Sequence, residues 1–440
     1  MRSTGDRKEY DVVIVGGGMV GATLACALAA QPATATLSVL IVDAQPMPTR
    51  AGAAAHISFD SRSTALSAAS RNILQRLDLW EQIAPGACAI GDIHVSDHGR
   101  FGSTRLSATD FSVEALGYVV ENAAFGAALA ERLQALPRCE LHAPGRVVDA
   151  SPIDGGMRVT IESMTGGEES SCDSEREAGL TPIETKLLVI AEGGRSPLCD
   201  RLGIVRSRED YGQHALSANV GLSQSHEGVA FERFTNTGPL AMLPLLPVDG
   251  EQRASLVWTL AADEAEEYAT ASDAVLLSRL QEKFGWRLGR LSRVGARAVY
   301  PLSLRVAQEQ VRPGLVLLGN VAHTLHPVAG QGMNLSLRDI EALVAVLADA
   351  AAADRPGAQE AEGPAGASTD SGIGSMQTLL GYTEAREEDQ ALMIGVTDGL
   401  TKLFSSDARS KVLLRKTGIL SLDLIPALKR SFGARAMGFD

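Results

Sequence analysis

The first strand and the turn that ends it constrain the fold most. Asp11-Val12-Val13-Ile14-Val15 reads as a buried strand, apolar after its first residue, and Gly16-Gly17-Gly18-Met19-Val20-Gly21 turns it into a helix. In such a turn Gly16 permits the tight bend, Gly18 lets the backbone approach a pyrophosphate, and Gly21 lets the helix sit close to the strand. A second run, Ser38-Val39-Leu40-Ile41-Val42, ends in Asp43, where the acidic partner of an adenosine ribose belongs. Glycines alone would fit an ordinary turn. Strand, turn, helix and acid together specify a βαβ unit for a dinucleotide.

A second device of the same kind lies far along the chain. The apolar run Leu315 to Leu318 ends at Gly319-Asn320, a Pro/Gly-rich loop follows from Pro327 through Gly330 and Gln331, and a helix begins near Gly332. Met333, Leu337, Ile340, Val344 and Leu347 give that helix one apolar face. Its free N-terminal amides and partial positive charge suit an electron-rich ligand edge, such as the pyrimidine end of a reduced flavin. Between the two devices, Leu187 to Ala191 reads as a further strand, closed by Glu192-Gly193-Gly194-Arg195-Ser196-Pro197.

Strands drawn from the beginning, middle and late chain predict an α/β protein whose dinucleotide domain is discontinuous, built from residues 8–90, 121–206 and 306–352. Residues 91–120 and 207–305 lack strand and helix alternation. The runs Ala215 to Leu222, Pro239 to Leu246, Ala254 to Leu260 and Ala296 to Leu304 predict a mainly antiparallel sheet forming a substrate domain. Met164 to Leu180 and residues 353–375 are polar, small-residue inserts expected to be flexible, and residues 376–440 return to helical spacing.

Charge narrows the partners. A net charge of −13 disfavours nucleic acid, which requires clustered Lys and Arg, and nonspecific adhesion to anionic lipid. The five cysteines, Cys26, Cys88, Cys139, Cys172 and Cys199, are scattered, with no CxxC pair and no histidine at ligand spacing. They predict reduced thiols, no metal and a cytoplasmic location. The polar start of the chain lacks the apolar core of a signal peptide, and no stretch is long and apolar enough to span a bilayer. Residues 402–440 carry a local excess of Lys and Arg among leucines. That segment suits either contact with a membrane or partner protein, or a packed helical pair.

Two cofactor devices at opposite ends of one chain, with the middle motif, resemble the FAD-dependent aromatic monooxygenases of the para-hydroxybenzoate hydroxylase-like group. Further motifs are similar to the ubiquinone-biosynthesis hydroxylases, and within them to the polyprenyl-methoxyphenol branch. These are Arg62-Ser63-Thr64-Ala65-Leu66-Ser67, His226-Glu227-Gly228 with Phe231-Glu232-Arg233-Phe234, Gly238-Pro239-Leu240-Ala241-Met242-Leu243-Pro244, Phe284-Gly285-Trp286-Arg287-Leu288-Gly289 and Ile394-Gly395-Val396-Thr397-Asp398. The similarity runs from about residue 10 to about 435, the two inserts excepted. Two positions depart from the wider pattern, Asn320 and Glu192, where aspartate is usual. Asparagine keeps an acceptor and loses the charge, while glutamate lengthens the side chain by one methylene.

The resemblance implies noncovalent FAD, reduced by NADPH or NADH that binds without a Rossmann domain of its own. It implies O2 and a polyprenyl phenol as substrates, ring hydroxylation through a flavin hydroperoxide, and other ubiquinone-biosynthesis proteins as partners, with peripheral contact at the inner membrane face. Gly16, Gly18, Gly21, Asp43, Arg62 and Glu121 would serve the cofactor from the early chain. Glu192, Gly193, Gly319, Asn320, Gly330, Gln331, Gly332, Met333 and Asn334 would serve it from the middle and late motifs. Arg62 is expected at the pyrophosphate. Glu121 fits either the ribityl chain or a helix cap. His323, His326 and Pro327 are the candidates for proton handling and the flavin pocket, with a structural role open for the histidines. Phe231, Phe234 and Met242 are apolar candidates for the phenol pocket, with core packing as the alternative. The same chemistry on another ring position or another phenol stays open. So does a catalytically weak flavin-binding subunit of a biosynthetic complex.

Overall fold

A computed structural model describes residues 8–47, 62–97, 103–164, 179–327, 330–354, 372–404 and 437–438. The chain opens with β1 (Lys8–Val15), α1 (Met19–Ala30) and β2 (Val39–Val42). Then come β3 (Ser63–Ser67), α2 (Ala68–Arg76), α3 (Trp80–Ile83), β4 (Ala87–Ile90), β5 (Asp92–Asp97) and β6 (Ser103–Ser107). They lead to β7 (Gly117–Glu121), α4 (Asn122–Gln134), β8 (Cys139–His142), β9 (Gly145–Ile153), β10 (Gly156–Ser163) and β11 (Leu180–Ile190). After α5 (Pro197–Arg201) run β12 (Arg206–Leu222), β13 (Val229–Phe234), β14 (Pro239–Val248) and β15 (Glu251–Ala261), with α6 (Ala262–Thr270) and α7 (Asp273–Phe284) behind them. The rest is β16 (Leu291–Val294), β17 (Ala298–Ala307), β18 (Val311–Arg312), β19 (Leu315–Leu317), β20 (His323–Thr324), α8 (Gln331–Ala353) and α9 (Met376–Phe404).

The first sheet has the order β18-β19-β11-β1-β2-β8, parallel from β19 to β8, and β10 and β9 continue antiparallel from the outer part of β11. Its central strands are apolar where both faces are covered, over residues 12–15, 39–42 and 187–190. Val12 and Ile14 point into a core shared with α1, α4 and α8, while Val13 and Val15 point into a second core with β9, β10 and α5. The stripe Met333, Leu337, Ile340, Val344 and Leu347 packs α8 into the first of these cores. Each such fully buried aliphatic side chain contributes roughly 1.5–3 kcal/mol from area removed from water.

The second sheet runs β20-β17-β12-β15-β14-β13-β5-β6, with β16 beside β12, and is antiparallel except for the β13–β5 pair. One face packs under α6 and α7 through Leu216, Met242, Leu256, Leu276 and Phe284. Two outcomes differ from the expected division. Residues 117–120 do not join this sheet; β7 pairs with β3 and β4 in a separate three-stranded sheet. And β20, from the late flavin-type loop, pairs with β17 and so belongs to the second sheet. Residues 372–375 of the second insert are docked, with Ile373 buried and Gly314 N–H donating to Gly374 at 2.8 Å. Most of both inserts, and the basic run after residue 404, lie outside the described residues apart from Met437 and Gly438.

Candidate functional site

At the carboxyl end of β1 the glycines do distinct work. Gly16 has φ +104°, and a Cβ there would stand 2.8 Å from the Ala191 carbonyl oxygen. A Cβ on Gly21 would lie 1.9 Å from the Gly16 carbonyl oxygen, so α1 touches the strand only because residue 21 has no side chain. Gly18 is the N-cap of α1 in extended conformation, a backbone shape open to any residue. No side chain caps α1 and its first turn holds no acid, an arrangement that suits an anion. Asp43 accepts from Gly17 N–H at 2.6 Å and Gln45 N–H at 2.8 Å. Its carboxylate thus stiffens the turn, and its further lone pairs suit a ribose hydroxyl.

Glu192 follows β11 beside this turn. Burial raises its carboxyl above the usual range and the Asp43 charge adds to that, against the Ser196 hydroxyl and the charges of Arg146 and Arg206. Its Oε2 has no hydrogen-bond partner among the described residues. Gly193 faces open space. The Gly194 carbonyl accepts from Arg305 Nη1 at 2.9 Å and Arg206 Nη1 at 3.2 Å, which fastens the middle motif to the second sheet.

The late motif lands on the early one. Gly319 has φ +74° and a Cβ there would stand 3.1 Å from Val20 in the first turn of α1. Asn320 beside it is exposed. Gly330, at φ +62°, starts α8, again with no side-chain cap, and Gly332 has no heavy atom within 4 Å of its would-be Cβ. No side chain therefore caps the amides at the start of α8. Not every residue of this motif is left open. Met333 is in the core. Asn334 donates to Ala65 O at 3.1 Å and Gly330 O at 2.9 Å and accepts from Ser67 N–H at 2.9 Å, so its amide locks the loop to β3. Gln331 is buried, and Pro327 accepts from Gly330 N–H at 2.9 Å as part of the loop's turn.

Both histidines are enclosed, each 1% exposed. His323 Nε2 lies 2.7 Å from Asp339 Oδ2, and Asp339 Oδ1 accepts from Arg386 Nε at 2.7 Å and Gln390 Nε2 at 3.0 Å. Asp389 extends the network, bonded to Arg386 and taking Arg338 Nε at 2.7 Å. Burial works to raise the Asp339 carboxyl, but the His323 hydrogen bond and charge, Arg386 and Gln390 outweigh it and hold it below its ordinary value. The network ties β20, α8 and α9 together. His323 is thus a brace of the flavin-type loop. His326 is pushed down to about 4 by burial and meets the Tyr211 ring edge-on at 5.6 Å, while Tyr211 donates to Asp398 at 3.0 Å. The His326 imidazole is thus enclosed between loop and sheet.

The face of the second sheet opposite α6 and α7 is turned to these motifs and, at Phe234, to α9. Glu121 stands at the N-cap of α4 but caps no amide; its carboxylate pairs with Arg253 at 2.7 and 3.0 Å and accepts from Asn219 at 3.2 Å. That half-buried bidentate pair joins β7 to β15 and β12, and the expected helix cap is absent. The Arg62 guanidinium lies 6.0 Å from the centre of the Tyr300 ring on β17. Phe231 and Met242 are cross-strand partners on the opposite face, Met242 fully buried and Phe231 edge-on to Phe284 at 5.5 Å. They are core beneath α7. Phe234 is on the site-facing side, packed with Val95, Leu400 and Leu403. An odd separation puts Phe231 and Phe234 on opposite faces of a strand, a signal present in the sequence. Asp339 also left one, as an acid on the buried side of an apolar helix; Arg253, Arg386 and Tyr211 left none.

Two uncapped helix starts, a glycine cradle closed by Val20 and Gly319, and an acid at the ribose position fit FAD. Among the described residues there is no group of three metal-ligating side chains, and no helix is long and apolar enough to cross a membrane. Residues 9–357 match the FAD binding domain family. The chain is 34% identical over 435 residues to ubiquinone hydroxylase UbiL of Rhodospirillum rubrum, covering 98% of this chain and 90% of that protein. It is 30% identical over 428 residues to 3-demethoxyubiquinol 3-hydroxylase of Escherichia coli, covering 97% and 98%. In fold it is similar to p-nitrophenol 4-monooxygenase from Pseudomonas putida, with a TM-score of 0.73 at 18% identity over 98% of this chain and 99% of that one. Cradle geometry and sequence similarity agree: the chain belongs to the FAD binding domain family and, within it, to the FAD-dependent hydroxylases of ubiquinone biosynthesis.

Proposed function

We propose that this chain hydroxylates the ring of a polyprenyl-methoxyphenol on the route to ubiquinone, with FAD, NADPH or NADH, and O2. The observation that carries this reading is the close approach of Gly319 to Val20, which brings the late strand end onto the start of α1; we place the cofactor in the space beside them. In that space the α1 amides suit the pyrophosphate, Asp43 a ribose and Asn320 the ribityl chain. The α8 amides suit the pyrimidine edge. FAD, when bound, supplies the two-electron chemistry between nicotinamide and oxygen. The chain's own task is to orient the phenol over it and exclude water, which the second sheet, facing the cradle across Glu121–Arg253 and Arg62–Tyr300, is placed to do.

The decisive assay is NADPH consumption against a panel of prenylated and plain phenols, with product quantified. Substrate-stimulated consumption with stoichiometric hydroxylated product supports the reading. Consumption without product would leave a flavin-binding subunit. Each tail methylene buried is worth about 0.8 kcal/mol before ordering costs, so shortening the tail to one or two isoprene units should raise KM strongly.

Our reading extends to a cytoplasmic enzyme working at the inner membrane face, in contact with other ubiquinone-biosynthesis proteins that hand over the lipid. Its support is the basic, leucine-rich composition of residues 402–440. Truncation after residue 402 should depress turnover of long-tailed substrate in liposomes more than of short-tailed substrate in detergent. Equal losses would make that segment ordinary packing.

A further inference from the structure

The turn that follows α7 carries a motif that no role above absorbs. Lys283-Phe284-Gly285-Trp286-Arg287-Leu288-Gly289-Arg290 has three cations and no acid, in a chain whose net charge is −13. Gln281 clamps this turn: its carboxamide donates to Gly285 O at 2.6 Å and to Gly289 O at 3.1 Å, and accepts from Leu291 N–H at 2.8 Å. Phe284 and Leu288 anchor it on either side in the core beneath α6 and α7. Between these anchors Trp286 is 70% exposed, more than any other large apolar side chain among the described residues. The clamp holds the ring out.

One exposed tryptophan is ordinary on a protein surface, but its surroundings here are not. Arg287 beside it is exposed, and no carboxylate of a described residue pairs with it. A ladder of rings joins the turn to the sheet: Phe284 meets Phe231 edge-on at 5.5 Å, and Phe231 meets His94 on β5 at 5.7 Å. Burial first, then the charges of Arg287, Arg105 and Arg233, hold the His94 imidazole below its ordinary value. The three guanidiniums thus share one surface. Arg105 is bonded to Asp92 at 3.0 Å, whereas the enclosed Nε of Arg233 has no hydrogen-bond partner among the described residues. On the other face of the same two strands, Val95 and Phe234 pack with Leu400 and Leu403 near the end of α9. The Lys- and Arg-rich residues after 404 therefore begin at this end of the sheet.

We propose that this surface docks the protein on an anionic phospholipid bilayer, with the Trp286 ring at headgroup depth and Arg287 and Arg233 on lipid phosphates. Tryptophan suits that boundary because its body is apolar and its N–H polar, and a guanidinium can take two phosphate oxygens at once. The acidic remainder of the molecule is repelled by the same bilayer, which turns the cationic end towards it. A protein partner would need a broad complementary face, whereas a single ring held out among cations enters a soft surface. The docking is independent of the catalytic reading, since it is measured without turnover.

The test mixes full-length, FAD-loaded protein with vesicles of phosphatidylcholine alone or of equal parts phosphatidylcholine and phosphatidylglycerol, followed by co-sedimentation and tryptophan emission. The chain has three tryptophans, and Trp80 and Trp258 are buried, so a change in emission reports Trp286. We expect binding to the anionic vesicles only, weakened by salt, with the emission shifted to the blue and quenched by brominated lipid. Trp286→Ala should weaken binding by roughly tenfold and Arg287→Gln by roughly fivefold, with FAD content and the urea midpoint unchanged because both side chains are exposed. Emission unmoved by anionic vesicles, or binding undiminished in the double variant, overturns the proposal. Binding that survives the double variant and disappears on truncation after residue 402 overturns it too, by assigning the contact to the C-terminal segment alone. Wild type that docks in this way yet hydroxylates no phenol would keep the docking and sink the hydroxylase reading instead.

Discussion

Gly21→Ala should separate folding from cofactor binding. The added Cβ would meet the Gly16 carbonyl oxygen at 1.9 Å and Ile14 Cγ2 at 3.0 Å, and both belong to the strand or turn at the centre of the first sheet. Because β1 is fixed between β2 and β11, α1 must retreat by about 1 Å, an overpacking strain of roughly 1–3 kcal/mol. Alanine regains about 1 kcal/mol of helix propensity, so the net cost is roughly 0–2 kcal/mol and the domain still folds. The amides at the start of α1 retreat with it. A hydrogen bond of about 2.9 Å lengthened by about 1 Å is no longer one. Losing two bonds to a charged pyrophosphate, each worth about 1.5–3 kcal/mol, weakens FAD binding by roughly 10²–10⁴-fold. The assay is FAD titration by flavin fluorescence quenching, alongside the urea midpoint. Gly395→Ala is the control, an exposed α9 position with no heavy atom within 4 Å, and should stabilise by about 0.5–1 kcal/mol with FAD affinity unchanged. Wild-type affinity in Gly21→Ala at an unchanged midpoint would refute the cradle geometry.

Asp339→Ala leaves Arg386 and His323 facing each other in the interior and should cost about 3–5 kcal/mol in urea unfolding. Because the Asp339 carboxyl is held below its ordinary value of 3.8, its stabilisation is complete above about pH 4 and lost as the pH falls through its depressed value; the variant's acid unfolding should lack that component. Met242→Ala and Phe231→Ala remove core volume and should each cost about 2–5 kcal/mol with KM for the phenol little changed, whereas a selective KM effect would move these residues into the pocket. Gly332→Pro removes an amide at the start of α8. It should disfavour the reduced flavin by about 1 kcal/mol, lowering its potential and slowing reduction, which spectroelectrochemistry reads directly.

What the sequence alone determined is whatever short-range chemistry fixes. The apolar run before Gly16, the turn glycines and the stripe on α8 are local patterns, and the strands and helices form where those patterns place them. Parity along β13 was equally readable, because alternation is a property of any strand. Which parity faces the cradle was not, since that depends on α6 and α7 covering the other side. The same limit applies to Glu121 with Arg253, 132 residues apart, and to Asp339 with Arg386, 47 apart. A charged side chain's spacing does not reveal a partner brought to it by folding. The histidines in the late loop illustrate the consequence: by composition they suit proton transfer, yet packing encloses both. Tertiary structure decided these roles because burial and access belong to the assembled sheets and helices, and no single segment carries them.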